Sequence, residues 1–537
     1  MQTGPSGSKT GEQTGLSMRD AMMGVKGTLP EKKVILIIID SLRPPALRTC
    51  LEEGTTPALE YLCHAGRVVF DCVSVFPTMT PTASASIATG VYPEDHQIPG
   101  FIWYNREEKR IINYGATPLA IWKIGLKTVV QDLIGNLNGE HLSREVKTIH
   151  ELLEDHGFVS ANINFFTFRG LHVFKTRLPW WIRLWIGSKV CTEVWGPLVS
   201  IVGQLVPPSF PCPGRLKKPW GLFHKFGVND EFAGTAAHHL IRQGKQPHLT
   251  VVYLPDTDGY THRHHTDDLS PAIMRADQQV QKILNAYDSW KQAIDENVFV
   301  ILGDHSQSLV QNNPDSIIKL PEMLAQFKQL GLGEKYTEDR ELAVCPNERM
   351  AHIYLLKQSP GLGRQIVEML AVDPRIDQIM WKEESGEGPV YHVRKGGTKA
   401  YLTFKRDGPL TDRYNCSWDI RGDLSVIDAS AQEGTVSYDE YPDALNVMAS
   451  LLGARHCGDI TMTARLGNEF GGEAAPVHPG KGSHGSFHRE DICVPLIITG
   501  SDESPQNPRV IDVVPFILSY FGLDPPIKTG DLYCRLT

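Results

Sequence analysis

An α/β fold, with a mostly parallel sheet sandwiched by helices and cap segments inserted into it, is predicted by two features of the sequence. The first is a set of three strongly apolar runs: residues 34–39 before Asp40, 249–254 before Asp256 and Asp258, and 298–302 before Asp304. Unbroken runs of this length, rich in β-branched residues, suit strands covered on both faces, as in a parallel sheet. A fourth run, 494–499, comes late in the chain. The second feature is the helix signals between the runs. Ser270-Pro271 opens a stretch with Ile273, Val280, Ile283, Leu284 and Tyr287 at helical spacing, and Thr56-Pro57 opens a short helix closed near Gly66; proline is favoured in the first helical turn. Such alternation builds α/β cores. In these sheets ligands bind beyond the carboxyl ends of the strands, and all three runs put their acidic residues there.

Two long segments interrupt the alternation. About 101–229 and about 311–429 carry Trp, Pro and Gly clusters without clear strand–helix order. They are expected to be cap insertions over one core formed by about 33–100, 230–310 and 430–537. Residues 1–32, rich in Gly, Ser, Thr and Lys, read as a flexible tail.

Composition narrows the class. A hydrophobic content of 41% and a charged content of 21% are those of a soluble globular protein. The net charge of -9 speaks against a surface for nucleic acid polymers. Ten cysteines stand singly with no Cys-x-x-Cys pair, which argues against a thiolate zinc site or redox motif. They suit reduced, buried residues of a cytoplasmic chain, with disulfides in an exported protein as the alternative. The tail lacks the apolar stretch of a secretory signal, and no run of ~18 apolar residues suggests a membrane span.

Candidate chemistry gathers at the run ends. Asp304-His305 follows its run directly, and Asp258 and His262 stand four apart, so that one turn could aim both at a single ion. Asp40 beside so apolar a run would be costly unless paired or metal-bound. Thr80 lies in a hydroxyl-rich loop running into a helix, where the helix N-terminus favours phosphate and metal coordination would lower the hydroxyl pKa. His484 sits in a glycine-rich segment whose backbone can approach a site closely. Each has a bland alternative: a capping Asp, a solvated His, an ordinary Ser/Thr cap or a surface loop.

In this order the pieces resemble the alkaline phosphatase superfamily, and within it the type I phosphodiesterase/nucleotide pyrophosphatase group, with phosphonoacetate hydrolase nearby. The resemblance is carried by Ile-Ile-Asp40, by Pro-Thr78-Met-Thr80 through Thr89-Gly90-Val-Tyr-Pro-Glu-Asp-His96, by Asp258-x-x-x-His262 with Gly303-Asp304-His305, and by Ser-His484-Gly. The stretch from Val510 to Gly522 also resembles the family's closing helix. The resemblance implies two divalent ions, usually zinc, with manganese also suited to these ligands. One ion would take Asp258, His262 and His484; the other would take Asp40, Asp304, His305 and the Thr80 oxygen. Thr80, ten residues before Gly90 as in the family, would be the nucleophile, with Thr78 the other candidate, and a threonyl-phosphate intermediate would follow. The implied substrate is a small-molecule phosphoester.

One position departs from the pattern. The nucleotide pyrophosphatases usually carry Asn three residues after the nucleophile, where this chain has Ala83. Thr82 and Ser84 are the candidate replacements for its contact with a phosphoryl oxygen. A phosphonate hydrolase or phosphomonoesterase on the same site is the alternative activity. No Cys/Ser-x-Pro-x-Arg segment stands at the nucleophile, which speaks against a sulfatase. A non-enzymatic alternative is a membrane-surface binder. It would use Leu178-Pro-Trp-Trp-Ile-Arg-Leu-Trp-Ile186 and the apolar stretch 194–206, seven of ten tryptophans falling between 100 and 230. The favoured reading of these residues is a Trp-rich cap core.

Overall fold

The three apolar runs become neighbouring parallel strands at the centre of a seven-stranded sheet. The computed structural model describes residues 30–176, 193–207, 222–357 and 359–525. Numbered in chain order, the strands of this sheet are β1 (Lys33–Ile39), β2 (Gly66–Val73), β3 (Ser160–Ile163), β4 (Val199–Ile201), β5 (Leu249–Leu254), β6 (Asn297–Gly303) and β7 (Cys493–Thr499). Their order across the sheet is β2-β7-β6-β1-β5-β3-β4. β6, β1, β5, β3 and β4 are parallel, and β7 runs antiparallel to both of its neighbours.

The apolar runs are unbroken because both faces are covered. Side chains alternate along a strand: Val34, Leu36 and Ile38 enter one apolar cluster, and Ile35, Ile37 and Ile39 enter the other. The second cluster takes Leu59 and Leu62 of helix Pro57–His64 and Ile273, Val280 and Ile283 of helix Ser270–Leu284. The first takes Ile87 of helix Thr80–Thr89, Leu445 of helix Ala444–Gly453 and Phe516 of helix Val513–Tyr520. Each fully buried Ile or Leu contributes about 1.5–3 kcal/mol.

The expected caps depart from the sequence reading in two ways. Strands β3 and β4, from the segment expected to be the first cap, belong to the central sheet; Asn162 and Ser200 break any apolar run there. The second cap segment builds most of a nine-stranded, largely antiparallel sheet, in which strand Ile460–Ala464 from the expected core stands between Met350–Leu355 and Ile376–Ser385. A core–cap boundary near 430 therefore cuts through one sheet. In Tyr401–Asp412, Leu402 and Phe404 are buried between partly exposed neighbours, the alternation of a sheet wet on one side, which lacks the signature of a buried run. Leu402 and Phe404 share a cluster with Leu36 of β1, so the two sheets meet in one apolar core.

The tryptophans do not form a common cap core among the described residues. Trp103 is fully buried, whereas Trp122 and Trp195 are 78% and 52% exposed. Residues 178–186 and Trp220 lie outside the described residues. Val194, Val199, Ile201, Val202 and Val206 are buried rather than turned to an interface. Among the described residues no helix is long and apolar enough to cross a membrane.

Candidate active site

Asp40, Asp304 and Asp258 follow β1, β6 and β5, and the parallel register brings them to one edge of the sheet. Because β7 runs the other way, the chain that precedes it reaches the same edge; Leu302 pairs with Leu496, which sets the segment carrying His484 beside Asp304. Asp258 lies in the short helix Asp256–Thr261 and His262 caps it. Residues four apart share a helix face, and Asp258 Oδ1 stands 3.2 Å from His262 Nε2. Thr80 begins helix Thr80–Thr89, which ends at Gly90 in the left-handed region, φ 70°.

Around His305, Nε2 lies 3.5 Å from Asp40 Oδ1, 3.8 Å from Asp304 Oδ2 and 3.2 Å from Thr80 Oγ1. Each carboxylate is satisfied on one side only. Asp304 Oδ1 accepts from the backbone N–H groups of Ser41 and His305, and Asp40 Oδ2 accepts from the Tyr253 hydroxyl. Asp40 Oδ1 and Asp304 Oδ2 are buried without a hydrogen-bond partner among the described residues. Around Asp258, Oδ1 faces His262 Nε2, His484 Nε2 at 3.8 Å, Ser41 Oγ at 2.9 Å and Gln307 Nε2 at 2.7 Å.

The three imidazoles are oriented by the main chain. His305 Nδ1 faces Ser306 O at 3.2 Å, His262 Nδ1 faces Gly482 O at 3.0 Å, and His484 Nδ1 faces Thr78 O. A carbonyl oxygen can only accept, so Nδ1 carries the hydrogen in each case, and Nε2 is the atom presented to the cluster. Histidines that bind metals are held by this kind of contact. The backbone also comes very close here. A Cβ on Gly485, φ 120°, would meet Asn347 O at 2.7 Å, and one on Gly482 would meet Gln307 Oε1 at 2.5 Å.

The electrostatics suit a bound cation. Burial, reinforced by the Asp304 and Asp258 charges, holds the Asp40 carboxyl well above the ordinary carboxylate range, and burial likewise raises Asp304. At Asp258 burial acts upward but is outweighed, first by His262, and the carboxyl falls well below its usual value. Burial acts downward on His262, yet Asp258 and Glu348 bring it up to about 10; burial takes His484 down to about 3. Among the described residues no Lys or Arg pairs with Asp40, Asp258, Asp304 or Glu348. Buried carboxylates persist when paired or bound to metal.

The donor set fits divalent ions. Ligand atoms ~2.0–2.2 Å from one tetrahedral zinc lie roughly 3.3–3.6 Å apart, close to the separations around His305. Among the described residues, ligand atoms within 4.8 Å of one another form four sets: Asp40, Asp304, His305; Asp258, His305, His484; His262, Glu348, His478; and, away from this cluster, Asp412, Cys416, Asp443. The expected trio Asp258, His262 and His484 is thus brought to one place but does not form one tight set. Asp258 bridges its two histidines, whose rings stand 5.2 Å apart with Glu348 near both.

The remaining candidates divide clearly. The Thr78 hydroxyl donates to Ser486 O and accepts from Gly485 N–H, so it holds a loop, and Thr80 presents the hydroxyl to the cluster. Thr82 and Ser84 are fully buried in the helix, and their hydroxyls make no hydrogen bond among the described residues. Asp256, which follows the same run as Asp258, is turned away from the cluster and takes Lys225 and the Asp230 N–H. Sequence reasoning missed Ser41, Tyr253, Gln307 and Glu348. Ser41 adjoins Asp40, Gln307 stands two residues past His305 and Tyr253 lies in the apolar run before Asp256, and that proximity is the signal that would have found them.

Over residues 34–487 the sequence matches the model of the family described as type I phosphodiesterase / nucleotide pyrophosphatase. The structure is similar to that of phosphonoacetate hydrolase from Sinorhizobium meliloti 1021 in complex with phosphonoformate, with TM-score 0.54 and 15% identity over 92% of this chain and 98% of that one. It is also similar to murine ectonucleotide pyrophosphatase / phosphodiesterase 5, with TM-score 0.53 and 12% identity over 93% and 97% of the two chains. At such identities the likeness is one of fold. A comparison with curated proteins gives no match. With the family's blocks matched along most of its length and an alkaline phosphatase-like fold beneath them, the chain belongs to the type I phosphodiesterase / nucleotide pyrophosphatase family.

Proposed function

We propose that the protein is a metal-dependent hydrolase of small-molecule phosphate esters, of phosphodiesterase/nucleotide pyrophosphatase type, with Thr80 as nucleophile. One divalent ion, zinc or manganese, is assigned to Asp40, Asp304, His305 and the Thr80 oxygen, and a second to Asp258, His262 and His484. The reading rests on one observation: the Thr80 hydroxyl, at the first position of its helix, stands 3.2 Å from His305 Nε2 beside two buried carboxylate oxygens without partners. When bound, the ions supply positive charge that neutralises a phosphoryl group and lowers the pKa of the threonine hydroxyl.

This chain's own groups do the rest. The positive end of the helix opened by Thr80 faces an incoming phosphoryl group. The Tyr253 hydroxyl fixes one oxygen of Asp40, and three backbone carbonyls hold the imidazoles in place. Thr80 Oγ1 loses its proton and attacks phosphorus as the ester oxygen leaves; water then cleaves the threonyl phosphate and restores the hydroxyl. Ala83, fully buried where nucleotide enzymes carry Asn, favours a second reading in which the same site cleaves a phosphonate or monoester. We place the enzyme in the cytoplasm on its singly spaced cysteines.

The test is direct. Protein loaded with zinc or manganese hydrolyses bis-p-nitrophenyl phosphate, and Thr80→Ala abolishes this with the circular dichroism spectrum unchanged. A fully loaded wild type that is inert on diesters, monoesters and phosphonates alike overturns the reading.

A further inference from the structure

We infer that Glu348 is a fourth protein ligand of the ion assigned to Asp258, His262 and His484, so that this ion lacks the open position of a three-ligand hydrolytic site. The inference rests on the metal-dependent reading above and adds a residue to it from a different part of the fold. The four side chains form a ring in which carboxylates and imidazoles alternate. Around it, Asp258 Oδ1 to His262 Nε2 is 3.2 Å, His262 Nε2 to Glu348 Oε1 is 3.8 Å, Glu348 Oε2 to His484 Nε2 is 3.5 Å, and His484 Nε2 to Asp258 Oδ1 is 3.8 Å. Carboxylate oxygens alternate with imidazole nitrogens, Glu348 offers Oε1 to His262 and Oε2 to His484, and each edge is close to the separation that a shared ion imposes; His478 stands beside Glu348 and His262 on the outer side of the ring.

Glu348 is placed there by more than its charge. It is the first tip residue of the two-residue hairpin between strands Leu342–Asn347 and Met350–Leu355. Its φ is 57°, in the left-handed region that favours glycine and strains a glutamate. The second tip residue, Arg349, is fully buried and anchors the hairpin by donating to the carbonyls of Asn468, Ser308 and Leu309. The glutamate is itself only 5% exposed. Its Oε2 accepts from Ser483 Oγ at 3.0 Å and His484 N–H at 3.1 Å, while Oε1 takes no hydrogen bond among the described residues and faces His262. Those contacts aim one free oxygen into the ring. A site with three protein ligands keeps a position for substrate; with Glu348 bound, a phosphoester oxygen must displace the carboxylate or enter as a fifth ligand.

The full-length protein tests this by calorimetric titration with zinc and by the visible spectrum of its cobalt form, in wild type and Glu348→Gln. The expected result is two ions in wild type. In the variant one of them is held at least about 10-fold more weakly, the other is unchanged, and the cobalt absorption falls as water replaces the carboxylate. Unchanged affinities and spectrum in a folded variant overturn the inference and leave the hydrolase reading standing. Fewer than two ions in wild type removes both. If Glu348→Gln does not fold, crystals of the manganese-loaded wild type decide. A Glu348 oxygen bonded to the ion supports the inference, and a water between them overturns it.

Discussion

The central sheet and the antiparallel sheet share one apolar core, but they deliver functional groups differently. In the parallel sheet all the carboxyl ends of β1, β5 and β6 coincide, so three separate chain segments release Asp40, Asp258 and Asp304 at one edge. In the antiparallel sheet the turns are shared between two edges, and one hairpin tip, that of Glu348 and Arg349, reaches the cluster. A parallel sheet gathers groups by its topology; an antiparallel sheet places a single group by the reach of one turn.

The largest expected effect lies on the parallel side. Thr80→Ala lowers turnover on a metal-loaded diester assay by on the order of 10³-fold or more, with no change in melting temperature beyond a few degrees. Next comes the contrast in packing. Ile37, fully buried in β1, loses about 2–5 kcal/mol of stability on Ile37→Ala, whereas Arg421→Ala on the exposed side of strand Ser417–Gly422 stays within about 0.5 kcal/mol. Urea denaturation separates the two, and equal losses would end the comparison.

A smaller effect probes the seam between the sheets. Gly485→Ala puts a methyl 2.7 Å from Asn347 O and 3.1 Å from Arg349 N, at a φ of 120°. It is expected to cost about 1–3 kcal/mol and to weaken metal binding by pushing the His484 loop off the hairpin. The smallest effect is one of pH. Burial, opposed by the Arg509 guanidinium and helped by Asp412, raises the Asp443 carboxyl to about 7. A carboxyl held higher in the folded than in the unfolded chain adds stability below its ordinary value of 3.8, and that stability is lost as pH rises towards 7. Asp443→Asn, which keeps an acceptor for the Tyr92 hydroxyl, flattens the stability profile between those limits; an unchanged profile would mean that the group titrates normally.

What was legible in the sequence follows from these physical differences. β1, β5 and β6 announce themselves because both faces are buried, and their closing carboxylates stand out against the apolar run. β3 and β4 are short and carry Asn162 and Ser200, so nothing distinguishes them from loop. The antiparallel strands alternate buried and partly exposed residues, as in Leu402 and Phe404, and the pattern is diluted by bulges such as that between Arg406 and Leu410. At the site, His484 was marked by flanking glycines and by family resemblance. Glu348 had no such mark, because its importance arises from a turn conformation and from neighbours more than eighty residues away in either direction. The grouping of His262 with Glu348 and His478 was likewise beyond reach of spacing alone.

The position of β7 also sets a timetable for folding. It fills an interior place between β2 and β6, so two strands made much earlier wait for it. At ~5–20 residues per second, a ribosome needs on the order of ten to forty seconds to pass from the end of β6 to the end of β7. Throughout that interval β6 keeps an unpaired flank of the kind other chains can add to, and His484 has yet to be made. An ion that needs His484 would therefore be captured late in the birth of the protein, and a chaperone that shields the β6 flank would act before it.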